Sequence, residues 1–155
     1  MNLFDEFFLI IKEFQNNNVK YSVIGGVAMA FHSEPRFTRD IDLLVAKNEI
    51  KKVKDTLKHL GYFESSDPWT FKNTNLTLHR FMKIEGEDHL IVDILTSTEQ
   101  RYKDIIKNSI EEKTENCFVR LAVKDDIIWL KQQRGSDQDK VDIKRLRDDK
   151  NRKNH

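Results

Sequence analysis

Tyr21-Ser22-Val23-Ile24-Gly25-Gly26-Val27-Ala28-Met29-Ala30-Phe31, with Asp40-Ile41-Asp42-Leu43-Leu44-Val45 a few residues on, is the stretch on which the architecture turns. Residues 21–24 are short, apolar and rich in β-branched side chains, which suits a strand. The glycine pair then breaks the pattern before a run of good helix formers. Pro35 closes that helix, and Arg36-Phe37-Thr38-Arg39 leads into a second apolar strand whose first residues are acidic. Residues two apart in a strand share a face, so Asp40 and Asp42 project together while Ile41 faces the core.

Outward from this stretch the chain alternates helices and strands. Leu3, Phe4, Phe7, Phe8, Ile10, Ile11 and Phe14 recur at intervals of three and four, the mark of a helix with one buried face, and Asn16-Asn17-Asn18 ends it. Ile50 to Leu60 has helical spacing and stops at Gly61. Short strands are predicted around Phe63, from Leu76 to Ile84 and from Leu90 to Leu95, with Glu85-Gly86-Glu87-Asp88 as a hairpin turn. Helices are predicted over Glu99–Ile110, from Ile127 to Lys131 after the capping candidates Asp125 and Asp126, and over Lys140–Arg147. A last strand is expected from Cys117 to Val123. The pattern predicts an α/β (α+β) fold, a mixed sheet flanked by helices, as one domain over residues 1–147 followed by a polar tail, 148–155, with no apolar face to bury.

Bulk properties narrow the function classes. With 155 residues, 38% hydrophobic and 34% charged, the chain can form a core and is not a low-complexity segment. Lys and Arg number 27 against 26 Asp and Glu, so no overall field draws nucleic acid or a membrane surface. The single cysteine, Cys117, forms no internal disulfide and no zinc site by itself, and the histidines have no ligand spacing. Acidic residues interrupt the apolar N-terminal stretch and no run is long enough to span a membrane, so a cytoplasmic protein without a secretory leader is expected.

The chemistry gathers on acids. Asp93 lies inside Ile91-Val92-Asp93-Ile94-Leu95, where a lone charge is costly to bury without a partner. If that strand neighbours the Asp40 strand, a divalent cation is the natural partner, and three hard oxygen donors suit magnesium with a triphosphate. Gly25 and Gly26, free of β-carbons, let backbone N–H groups and a helix N-terminus approach phosphate. Lys131 and Arg134 are candidates to hold phosphates or, alternatively, solvated cations at a helix end; Asp139 and Asp142 read first as caps. Arg36 and Thr38 either touch the nucleotide or shape their loop. Trp69, Phe71 and Phe81 read as core more readily than as base-stacking residues.

Gly25-Gly26, Asp40-Ile41-Asp42 and Val92-Asp93-Ile94 resemble the signature of the DNA polymerase beta nucleotidyltransferase superfamily. With Arg36, Thr38 and Asp139-Lys140-Val141-Asp142-Ile143, the chain is similar to small bacterial nucleotidyltransferases, both the AbiEii-type abortive-infection toxins and the lincosamide nucleotidyltransferases. The resemblance implies two Mg2+ ions held by Asp40, Asp42 and Asp93, which would also serve catalysis. It further implies nucleotide contacts from Gly25, Gly26, Arg36, Thr38, Lys131 and Arg134. A nucleoside monophosphate would pass from a nucleoside triphosphate such as ATP to a hydroxyl of an RNA (tRNA) or a small molecule, releasing pyrophosphate. A rival expectation is an inactive module of the same fold acting through a protein partner, as in a toxin–antitoxin pair. A second copy of the chain is a further partner, needed if the cleft is shared.

Overall fold

The computed structural model describes the backbone of residues 1–32 and 40–153, and side chains as far as residue 148. Helix α1 (Leu3–Asn16) begins at Asn2, whose side chain accepts hydrogen bonds from the backbone N–H of Phe4 and Asp5 at 2.9 and 3.1 Å. It buries Phe7, Ile10, Ile11 and Phe14 and ends where Asn18 takes a left-handed backbone, φ 55°. Strand β1 (Tyr21–Ile24) runs without a loop into α2 (Gly25–His32). Then follow β2 (Asp40–Ala46), a 3-10 turn at Lys47–Glu49 and α3 (Ile50–His59). Beyond Gly61 come β3 (Phe63–Glu64), β4 (Trp69–Thr70), β5 (Thr77–Glu85) and β6 (Asp88–Ser97), and next α4 (Gln100–Lys107), β7 (Ile110–Lys113) and β8 (Phe118–Leu121). Helices α5 (Lys124–Arg134) and α6 (Asp137–Lys153) close the chain.

The sheet is mixed, in the order β3-β5-β6-β2-β1-β8-β7, with β4 also paired to β5. Strands β2 and β6 are parallel, while β1 and β5 run antiparallel to their neighbours β2 and β6. The faces are chemically distinct. Ile41, Leu43 and Val45 point to one side, where Val45 stands opposite Tyr21 and the Tyr21 ring meets Phe14 of α1 edge-on at 6.0 Å. Asp40, Asp42 and Leu44 point to the other, toward α5. Apolar residues from both faces form the core.

Several boundaries depart from the sequence reading. Ile110 starts a strand, not the end of a helix, and every residue of that edge strand is exposed, which explains its weak apolar pattern. Asp125 and Asp126 lie inside the first turn of α5; Val123 is its N-cap. The polar segment after Arg147 continues α6 through Lys153. Phe81 is core as expected, whereas Trp69 is 38% exposed. No helix among the described residues is long and apolar enough to cross a membrane.

Candidate active site

Strand register brings the acids together. Asp42 stands opposite Asp93 across the parallel β2–β6 pair, and Asp93 stands opposite Arg80 across the antiparallel β5–β6 pair. Paired residues share a face, so Ile24, Asp42, Asp93 and Arg80 form one row across four strands, with Asp40 one pleat further along β2.

Asp93 is only 4% exposed, and its partner is a side chain. The guanidinium of Arg80 donates Nε–H to Oδ1 at 2.8 Å and Nη2–H to Oδ2 at 3.0 Å, a two-pronged, charge-assisted contact. Arg80 also stacks over the Trp69 ring, 5.5 Å from its centroid. Arg80 thus supplies a charge partner for Asp93 from within the chain. Among the described residues no three His, Cys, Asp or Glu side chains are gathered so as to hold a metal ion. Arg80 was missed at the sequence level, although a signal for it exists. The Gly86-Glu87 bend sets Glu85 opposite Asp88, and counting five residues back along each strand places Arg80 opposite Asp93.

Asp40 and Asp42 carry the imbalance. Burial, then the charge of Asp93, pushes the Asp42 carboxyl up to about 7, and the same causes in the same order raise Asp40. Two half-buried carboxyls crowded beside a third fit hard-oxygen donors for a divalent cation, which would relieve that crowding.

Gly25 meets this pair directly. It has a left-handed backbone, φ 70°, and an added β-carbon would overlap Asp42 Oδ2 and stand 2.8 Å from Asp42 Cγ. The missing side chain at Gly25 is therefore room for Asp42. Gly26 is buried in the first turn of α2.

Across the cleft, Lys131 is buried, unlike a solvated helix-end cation, while Arg134 stays exposed and is ion-paired. Lys131 is 4% exposed and donates to Asp142 Oδ2 at 2.9 Å, with Asp139 Oδ1 at 3.7 Å. Arg134 grips Asp139 through Nε–H to Oδ2 at 2.9 Å and Nη2–H to Oδ1 at 2.6 Å. Asp139 and Asp142, read as caps before a helix, both lie inside α6; Asp139 still shares a reciprocal capping box with Ser136, accepting from Ser136 N–H at 3.1 Å while the Ser136 hydroxyl accepts from Asp139 N–H at 3.0 Å. Burial would raise its carboxyl, but bonds from Arg134 and Ser136 outweigh it and hold it well below the usual range. Both cations line the cleft with Asp42, and their charge partly offsets the rise of the Asp42 carboxyl. Arg36 and Thr38 lie outside the described residues.

Comparison with known proteins bears on the fold. A Thermotoga maritima structure provisionally designated a nucleotidyltransferase superimposes with TM-score 0.65 at 13% identity, covering 85% of this chain and 84% of that one. The lincosamide antibiotic adenylyltransferase LnuA, solved with lincomycin, gives 0.60 at 17% identity over 92% and 95%. ANT(2'')-Ia in complex with adenylyl-2''-tobramycin gives 0.53 at 16% over 81% and 71%. At these identities the likeness is one of fold. No curated protein matches the sequence. The model of the aminoglycoside-2''-adenylyltransferase family matches residues 6–146. With nine-tenths of its length inside that match and a nucleotidyltransferase fold around the carboxylate row, the chain belongs to the aminoglycoside-2''-adenylyltransferase family and is a nucleotidyltransferase.

Proposed function

We propose that this enzyme moves a nucleoside monophosphate, AMP foremost, from a nucleoside triphosphate to a hydroxyl of a small-molecule acceptor of the antibiotic kind. The observation that carries the reading is the register row. It sets Asp42 beside Asp93, with Asp40 on the same face and two cations of α5 opposite. Magnesium, as two ions, suits the oxygen donors of Asp40 and Asp42 and the outer lone pairs of Asp93; when bound it neutralises phosphate charge and activates the acceptor oxygen.

The protein's own groups do the positioning. Lys131 and Arg134 orient the phosphates across from Asp42, and Gly25 keeps the Asp42 carboxyl in place. Asp93 is oriented by Arg80 and, with lone pairs left beyond the two that Arg80 uses, receives the acceptor hydroxyl proton. The new bond joins the acceptor oxygen to the α-phosphorus, and the bond to pyrophosphate breaks.

The matching family and the antibiotic complexes of its structural neighbours support a small acceptor over RNA. The presence of all three acids supports turnover over an inactive module that acts through an antitoxin or a second copy. A reaction that consumes nucleoside triphosphate belongs in the cytoplasm. The test incubates purified protein and magnesium with each labelled nucleoside triphosphate against hydroxylated antibiotics and total RNA, with Asp42→Asn and Asp93→Asn as controls. Label should pass to a small molecule and vanish in both variants. Transfer to RNA alone, or undiminished transfer in either variant, refutes the assignment.

A further inference from the structure

On the reverse of the sheet from the carboxylate row, the surface turns polar at the far end of β6. Register sets Thr70 opposite Thr77 and Thr77 opposite Thr96, one row across β4, β5 and β6 that continues to Val45 of β2. The row therefore lies on the Val45 side, behind the strands that present Asp42 and Asp93 to the cleft. Lys47, Asn75, Ser97 and Thr98 join these threonines around a cavity of about 210 Å³. Every residue lining it carries a side-chain hydroxyl, amide or ammonium, although the same face is apolar elsewhere, with Ile41, Leu43, Phe81, Val92 and Ile94 buried.

The bonds made around this cavity leave donors over. Thr70 and Thr77 share one proton between their hydroxyls at 3.0 Å, so the other is unspent. Ser97, 5% exposed, accepts from Glu99 N–H at 3.1 Å and keeps its own hydroxyl proton. The Asn75 amide gives one N–H to Glu99 Oε1 at 2.7 Å and retains a second. The Thr96 hydroxyl, 2% exposed, meets His79 Nε2 at 3.5 Å, the outer limit of a hydrogen bond. Among the described residues the Lys47 ammonium has no ion-pair partner. No carboxylate lines the cavity to hold a cation, no aromatic ring to stack a sugar, and an apolar molecule would leave its donors unpaired. One ammonium with several O–H and N–H donors over a buried floor complements a small oxyanion.

We propose that this pocket binds a phosphate-class oxyanion, as a second site separate from the nucleotidyl-transfer cleft and independent of that reading. It also touches the cleft's support. Trp69, the residue before Thr70, stacks over Arg80 on the other face, so an ion held at Thr70 braces the two-residue strand behind the Arg80–Asp93 contact.

Amide NMR of the full chain, titrated with inorganic phosphate against chloride at equal ionic strength, tests this. Phosphate should shift the amides of Thr70, Asn75, Thr77 and Thr96 and the indole N–H of Trp69, with a Kd on the order of 1 mM, and chloride should not. Lys47→Gln, at an exposed position, should weaken binding about tenfold, and Thr77→Val, which keeps the side chain's shape in its strand, about threefold. The signals of Lys131 and Arg134 report separately on phosphate in the cleft, which neither variant touches. Shifts confined to those two residues would overturn the proposal, as would wild-type titrations in both variants. Glucose 6-phosphate and glucose identify the source of the oxyanion. An ester that binds as the free ion does assigns the site to inorganic phosphate, and one that binds more than about tenfold tighter assigns it to a phosphate ester. The same shifts with glucose alone would overturn it in favour of a neutral polyol.

Discussion

The two walls of the cleft hold nearly the same kinds of side chain and treat them oppositely. On the sheet, Asp40, Asp42 and Asp93 share the neighbourhood of one guanidinium, Arg80; on the helices, Asp139 and Asp142 are matched by Lys131 and Arg134. On the sheet wall Asp40 and Asp42 are raised, Asp42 to about 7, while the helix wall holds Asp139 well below the usual range. Burial acts on both walls: on Asp40 and Asp42 it comes first and the like charge of Asp93 adds to it, whereas on Asp139 the bonds from Arg134 and Ser136 outweigh it.

Neutralising Asp42 should break the contrast most sharply. Asp42→Asn is expected to cut transfer at least ~100-fold in a steady-state assay, since an electrostatic group at the reacting centre is lost. The same variant reports on the wall itself. The folded value of about 7 lies above the ordinary 3.8, so the metal-free native state binds this proton more tightly than the unfolded chain. Its contribution to stability is full below about 4, falls as pH rises to about 7, and stays reduced above that. Thermal unfolding without metal should show that fall in the wild type and a smaller one in Asp42→Asn; identical profiles would mean that another group is responsible.

On the helix wall, Lys131→Met leaves Asp142 buried without its cation and should cost ~3–5 kcal/mol in denaturant unfolding. Replacing Asp142 by Leu in the same chain should return a good part of that, because an apolar pair often substitutes for a buried ionic one. Gly25→Ala tests the join between the walls. Left-handed backbone strain alone costs ~1–3 kcal/mol, and the added carbon displaces the Asp42 carboxyl, so transfer should fall with stability. Arg134→Gln should matter least to folding, ~1 kcal/mol or less, because its side chain is 48% exposed and Asp139 keeps Ser136. Its measurable effect should be a raised KM for the triphosphate.

Strand and helix periodicity made most of this legible. The Asp40–Asp42 alternation, the β1–α2 junction and the place of Asp93 in an apolar strand are local patterns, and the sheet keeps them. The role of Arg80 is not local: it depends on a cross-strand register that becomes visible only when counted from the bend. The pairing of Lys131 and Arg134 is hidden for a related reason: the acids that engage them come from the next helix, brought back by Gly135, φ 70°. The edge strand β7 and the two-residue β4 have too few apolar residues to announce themselves.

The tight bend at Gly86-Glu87 sits at the end of the β5–β6 hairpin, several residues along from Arg80 and Asp93, yet it fixes the pairing of both strands it joins. Adding or deleting one residue there would slide β5 against β6 by a step and present His79 or Phe81 to Asp93 in place of the guanidinium. Under the proposed role of Asp93, a short insertion on the outer surface would disable transfer with every residue of the cleft intact, and screens for inactivating changes should find this corner as sensitive as the centre.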